Sequence, residues 1–136
     1  MSYGVSAALQ AAIYQRLTGD AALAGLVGSE IYDIVPAGQV PPIYVSLGPE
    51  NVRDRSDKTG RGAEHEFSVS IVTNAAGFHA AKEAGQAISD ALIDAPLSLS
   101  RGSLVYLNFV RAKARRVQKG DVRRIDLTFR ARVDDD

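Results

Sequence analysis

Apolar residues recur at every fourth position near the start of the chain: Val5, Leu9, Ile13 and Leu17, with Ala8 and Ala12 beside them. That spacing lays one stripe along a helix of about 14 residues. Gly19 stands where a left-handed C-terminal residue is expected. Asp20 is placed as the N-cap of a short second helix that carries Leu23 and Leu26 and closes at Gly28. The pattern then changes. Ile31 to Val35 predicts a short strand stopped by Pro36. Ile43 to Leu47 predicts another, entered through Pro41-Pro42, because prolines cannot donate to a ladder. Between Gly48 and Gly62, Leu, Ile and Phe are missing, and the polar composition predicts a long, flexible loop. Glu64 to Thr73 alternates, with Phe67, Val69, Ile71 and Thr73 on one face and Glu66, Ser68 and Ser70 on the other. A helix is expected from Gly77 to Ala95, with Phe78, Ala81, Gly85, Ile88 and Leu92 on one side and Pro96 beyond its end. Two long strands, Leu104 to Val117 and Val122 to Val133, close the chain around a turn at Gln118-Lys119-Gly120-Asp121. In the last strand Ile125, Leu127, Phe129, Ala131 and Val133 alternate with Arg124, Asp126, Thr128, Arg130 and Arg132.

The order α-α-β-β-β-α-β-β predicts an α+β fold, a mostly antiparallel sheet with helices packed on one face. The chain has 136 residues, enough for a single domain spanning 1–136. Leu9, Ile13, Leu17, Phe67, Ile71, Ile88, Leu92, Leu127 and Phe129 form the expected core. The last three residues, Asp134 to Asp136, read as a frayed acidic tail.

Composition narrows the chemistry. There is no cysteine, which removes disulfides, thiolate metal sites and thiol nucleophiles together. His65 and His79 have no metal-type spacing and no recognisable catalytic partner, so both read as surface or half-buried histidines. There is no Gly-x-Ser-x-Gly elbow. Gly60-Arg61-Gly62 lacks the rest of a phosphate loop. The expectation is therefore no enzyme, no catalytic residues, no cofactor and no metal. No apolar run is long enough to span a membrane, and no targeting signal is evident, so synthesis in the cytoplasm is expected.

Charge adds what the pattern alone does not show. Lys plus Arg and Asp plus Glu are equal at 16, yet residues 1–100 sum to −5, residues 101–133 to +8 and the last three to −3. Arg111, Lys113 and Arg115 alternate on one strand of the closing hairpin, and Arg124, Arg130 and Arg132 on the next. Arg116, Lys119 and Arg123 crowd its tip. The polar loop adds Arg53, Asp54, Arg55, Lys58 and Arg61. Together these are the candidate interface residues. A solvated face is one reading of them. A nucleic-acid-binding module is another, although stacking aromatics are sparse there. A protein partner explains more, because subunits with separate acidic and basic surfaces suit the heterologous contacts of a ring.

The ordered set of segments resembles the tail-completion, or tail-terminator, proteins of long-tailed phages and gene transfer agents. The likeness begins with the helix ending in Leu17 and Asp20-Ala21-Ala22-Leu23. It continues through Ile31-Tyr32-Asp33, Val35-Pro36 and Pro42-Ile43-Tyr44-Val45-Ser46-Leu47-Gly48. Glu64-His65-Glu66-Phe67-Ser68-Val69, Ala91-Leu92, Gly102-Ser103-Leu104-Val105 and Arg124-Ile125-Asp126-Leu127-Thr128-Phe129-Arg130 complete it. The resemblance implies a structural virion protein at the neck of a particle assembled in the bacterial cytoplasm. It implies a hexameric ring that caps the tail tube, fixes tail length and joins the head-side connector, with DNA passing through its lumen. A head-tail stopper is the related alternative. No catalytic residue is carried over.

Overall fold

A computed structural model describes residues 3–34, 41–58, 60–93, 96–117 and 121–135. Helices α1 (Ser6–Thr18) and α2 (Ala21–Val27) come first, then strands β1 (Ile31–Tyr32), β2 (Ile43–Asp54) and β3 (Gly62–Thr73). Helix α3 (His79–Leu92) and strands β4 (Ser103–Val117) and β5 (Val122–Asp134) follow. The strands form one sheet in the order β1-β2-β3-β5-β4. Only β1 runs parallel to its neighbour; the other pairs are antiparallel. The expected α+β architecture is present.

The helices cover one face of the sheet. Leu9, Ile13 and Leu17 of α1, Leu23 and Val27 of α2, and Ile88 and Leu92 of α3 meet Val45, Val69, Ile71, Leu127 and Phe129 from the sheet in one core. The α3 face is mostly alanine (Ala81, Ala84, Ala87, Ala91), which lets the helix lie close to β3 and β5. Phe129 is fully buried at the centre, stacked on Phe67 with ring centroids 5.7 Å apart. The Asp20 carboxylate accepts the Leu23 N–H at 2.9 Å, which caps α2 as expected. Leu26, by contrast, is exposed, and Val27 takes the buried position one turn after Leu23.

Gly19 does not adopt the left-handed conformation expected of it: its φ is −88° and ψ −2°. The Gly19 and Asp20 amides donate back to the carbonyls of Gln15 and Leu17, so the chain passes directly into the next cap. The first strand is shorter than its pattern, Ile31–Tyr32, and Val35-Pro36 lie outside the described residues. Gln118, Lys119 and Gly120 of the hairpin turn, Asp94 and Ala95 before Pro96, and Asp136 also lie outside them.

The largest correction concerns the expected loop. Strand β2 runs on to Asp54 and pairs Glu50, Asn51, Val52, Arg53 and Asp54 with Phe67 through Ala63. A register shift between Leu47 and Glu50 absorbs Gly48-Pro49 as a bulge, the position where a strand tolerates proline. The connection shrinks to residues 55–61. Asp57 turns the chain there, its backbone amide donating to the Gly60 carbonyl and its carboxylate accepting the Gly60 amide at 2.9 Å. This arm of β2 is held by ladder hydrogen bonds and is mostly exposed, so it never needed the apolar alternation that announces a strand.

Asp134 and Asp135 are held rather than frayed. Asp134 belongs to β5, and the Arg101 guanidinium grips Asp135 with two bonds of 3.0 and 2.9 Å. Gly102 precedes β4 with φ +71°, and a Cβ there would collide with the Asp134 carbonyl.

Candidate assembly interface

The strand register decides which charges meet. On the face away from the helices, Arg53, Glu64, Arg132 and Tyr106 lie in one row across β2, β3, β5 and β4. The next row holds Asn51, Glu66, Arg130 and Asn108. Further along come Ser68, Thr128 and Arg111, then Ser70, Asp126 and Lys113, then Val72, Arg124 and Arg115. The sheet thus collects Arg53, Arg55, Arg111, Lys113, Arg115, Arg124, Arg130 and Arg132 around a central column of carboxylates.

Those carboxylates hold the face together. Glu64 is buried and lies 3.1 Å from Arg53, 3.5 Å from Arg55 and 3.5 Å from Arg130. The Arg53 hydrogen bond, with the charges of Arg55 and Arg130, outweighs burial and holds the Glu64 carboxyl below its ordinary range. Glu66 takes Arg111 and Arg130, each at 3.4 Å. Asp126 resolves the like-charge opposition of Arg115 and Arg124, 3.5 Å from one and 2.8 Å from the other. Burial pushes the Asp126 carboxyl up, but the Ser70 hydroxyl at 2.5 Å and the two guanidinium groups bring it below the usual value. A shallow depression of about 310 Å³ opens here, between Pro49, Lys113, Arg115 and Arg124. Among the described residues Lys113 has no ion-pair partner.

Arg61 lines a depression with Arg55 and Arg132 at the rim of this face, whereas Arg116, Arg123 and Asp54 lie on the other side. Arg116 and Arg123 pair with each other on the helix side of the hairpin, where Arg123 lies 5.5 Å from the centre of the Phe78 ring and donates to the Ala75 carbonyl. Asp54 points to that side too, and its carboxyl is held low by the Ser56 hydroxyl and amide. Lys58 and Arg61 are exposed in the 55–61 turn, and Lys119 lies outside the described residues.

One polar cluster was not expected. His65 is fully buried, where a surface or half-buried histidine was expected, because it shares the helix-side face of β3 with Ala63 and Phe67. Its Nδ1 lies 3.2 Å from Glu50, and the same carboxylate accepts from Ser6 at 2.5 Å and Tyr3 at 2.8 Å. Burial works to raise the Glu50 carboxyl, and the bonds from Ser6, Tyr3 and His65 more than offset it, leaving it low. Serine and histidine here both address the carboxylate and not each other, so no hydroxyl is activated for attack. The position of His65 within the alternation Ala63, His65, Phe67, Val69 was the signal for its burial. His79 is an exposed helix residue, 3.5 Å from Glu83. No group of three His, Asp or Glu among the described residues could hold a metal ion, and no helix among them is long and apolar enough to cross a membrane.

Comparison with known proteins decides what kind of protein carries this surface. The model of the family described as tail completion protein gp17 matches residues 11–134. The chain belongs to that family. A chain of the solved structure described as the virion of a native gene transfer agent particle is similar throughout, with 63% sequence identity and a TM-score of 0.93. The match covers 98% of this chain and 99% of that one. Among curated protein sequences none matches. The charged sheet face is therefore part of a tail-completion protein, as the ordered segments had implied.

Proposed function

We propose that this tail-completion protein is a tail terminator of a phage or gene transfer agent particle. It forms a hexameric ring that caps the head-proximal end of the tail tube, fixes tail length and offers a surface to the head-side connector. The particle's DNA passes through the lumen without being read. The observation that carries the reading is near-full-length similarity, at 63% identity, to a chain of a gene transfer agent virion. The role is mechanical, and the charge pattern fits it. The helical layer exposes Arg16 and Lys82 as well as Glu83 and Asp90, while the opposite sheet face carries the excess of arginine. A cationic face set apart from the rest of the surface favours heterologous contact with an acidic patch of another copy or of the tube.

The sheet face is a poor match for a nucleic-acid groove. Glu64, Glu66 and Asp126 interrupt its cations. A backbone-tracking groove keeps one sign of charge and stacks bases on aromatics. The test is polymerisation of tail tube protein with and without this chain, read as tube length in electron micrographs. Tubes that stop growing with one end capped support the terminator. Unchanged tube lengths overturn it, and binding to the head-side connector alone identifies a stopper instead.

A further inference from the structure

The open face of the sheet is not flat. Between Pro49, in the bulge of β2, and the long side chains of β4 it dips into the depression of about 310 Å³. Short side chains make the floor: Ser68 and Ser70 from β3 and Thr128 from β5. The register sets Arg111, Lys113 and Arg115 of β4 beside that floor, opposite Thr128, Asp126 and Arg124. Four cations and a single carboxylate therefore line the depression, an excess of three positive charges. Asp126 is already engaged, by the Ser70 hydroxyl at 2.5 Å, Arg124 at 2.8 Å and Arg115 at 3.5 Å. Arg111 is 64% exposed and meets Glu66 only at 3.4 Å. The Lys113 ammonium has no ion-pair partner among the described residues, and the Ser68 and Thr128 hydroxyls have no hydrogen bond among them. Thr128 is nonetheless a buried residue.

Unpaired donors gathered in a cationic depression call for an anion rich in acceptors. A carboxylate is acceptor-only, so one oxygen can take a cation while the other takes a hydroxyl. We infer that this depression docks an acidic segment of another protein of the particle, whose carboxylates take up Lys113, Arg111 and the Thr128 hydroxyl. An excess of three charges suits a segment with carboxylates close together. Among the described residues of this chain the only adjacent acidic pair is Asp134-Asp135, and Arg101 already grips Asp135. The occupant is therefore a different protein and not a second copy. A nucleic-acid backbone fits less well. Asp126 lies in the depression, and Glu66 and Glu64 continue the same face beyond Ser68. Successive phosphates would meet those carboxylates, whereas a backbone track keeps one sign of charge. This inference rests on the reading of the sheet face as an assembly surface and names the chemistry that it takes.

The test is calorimetric titration of the whole chain at moderate salt with a hexaglutamate peptide, beside single-stranded and duplex DNA. Wild type binds the peptide saturably and more tightly than either DNA. Lys113→Glu weakens that binding by about tenfold or more. Thr128→Val keeps every charge and weakens it by about fivefold, because a hydrogen bond to a charged group is lost. Lys58→Glu makes the same change of net charge in the 55–61 turn and leaves binding within about twofold. Thermal melts show whether each variant is folded. If the reversal unfolds the sheet, Lys113→Ala replaces it, with a loss of about fivefold. The docking site is overturned by absent saturable binding, by an equal loss in Lys58→Glu, or by unchanged affinity in the folded Lys113 variant. Tighter binding of DNA, lost on the same substitutions, overturns it in favour of nucleic acid. The terminator reading is judged separately: wild type that leaves tail tube lengths unchanged overturns that reading, whatever the peptide does.

Discussion

The two faces of the sheet solve different problems with the same strands. The helix side excludes water: Leu9, Leu17, Ile88, Leu92 and Phe129 are all buried to within 1% of full coverage. The open side keeps its arginines partly wet and balances them with Glu64, Glu66 and Asp126. The first face accounts for the fold, since burying a large apolar side chain is worth about 1.5–3 kcal/mol. Exposed ion pairs contribute little to stability, with about 1 kcal/mol as the usual ceiling. A face so densely charged and so weakly stabilising is better explained by what it meets than by what it holds up.

The largest effect should come from Phe129→Ala, which removes the ring that Phe67 and Phe109 pack against. It should cost about 3–5 kcal/mol in urea unfolding. A loss under about 1 kcal/mol would mean that the covered face is not the source of stability. The covered face also has its polar exception. Glu50→Ala strands Tyr3, Ser6 and the buried His65 Nδ1, and should cost about 1–3 kcal/mol by the same measurement.

Acid titration sharpens the contrast. Glu50, Glu64 and Asp126 all have carboxyls held below the ordinary range. A lowered folded-state value adds stability that is complete above the unfolded value of about 4 and is lost as pH falls through the folded one. The urea midpoint should therefore stay level above about pH 5 and drop below about pH 4. Asp126→Asn should give a shallower acid limb than wild type, and an identical limb would remove Asp126 from the account. The smallest stability effect belongs to Lys113→Ala, within about 0.5 kcal/mol of wild type, because no carboxylate among the described residues forms an ion pair with that ammonium. A larger loss would show that the open face is structural after all.

Much of the fold was legible because the helices and inner strands bury one face, which forces a visible period. Ile125, Leu127, Phe129, Ala131 and Val133 show it most clearly, and all five are buried. The outer arm of β2 buries almost nothing, so Glu50 to Asp54 carried no period and read as loop. The basic hairpin was legible as charge but not as a lattice. Its counter-ions Glu64 and Glu66 sit on β3, about 65 residues before the arginines they meet on β5, and only the β3–β5 register joins them. His65 was misread for a different reason. A lone polar residue in an apolar alternation is buried when a partner waits, and Glu50 lay in the segment taken for loop. The turn that crowded Arg116 with Arg123 in sequence separates both from the sheet-face cations in space, because each pleat sends neighbours to opposite sides.

The central claim, that this chain ends the tail and joins it to the head, is tested most directly by electron micrographs of particles from cells that lack it. The account predicts overlong tails and tails without heads. Tails of normal length joined normally to filled heads would contradict it.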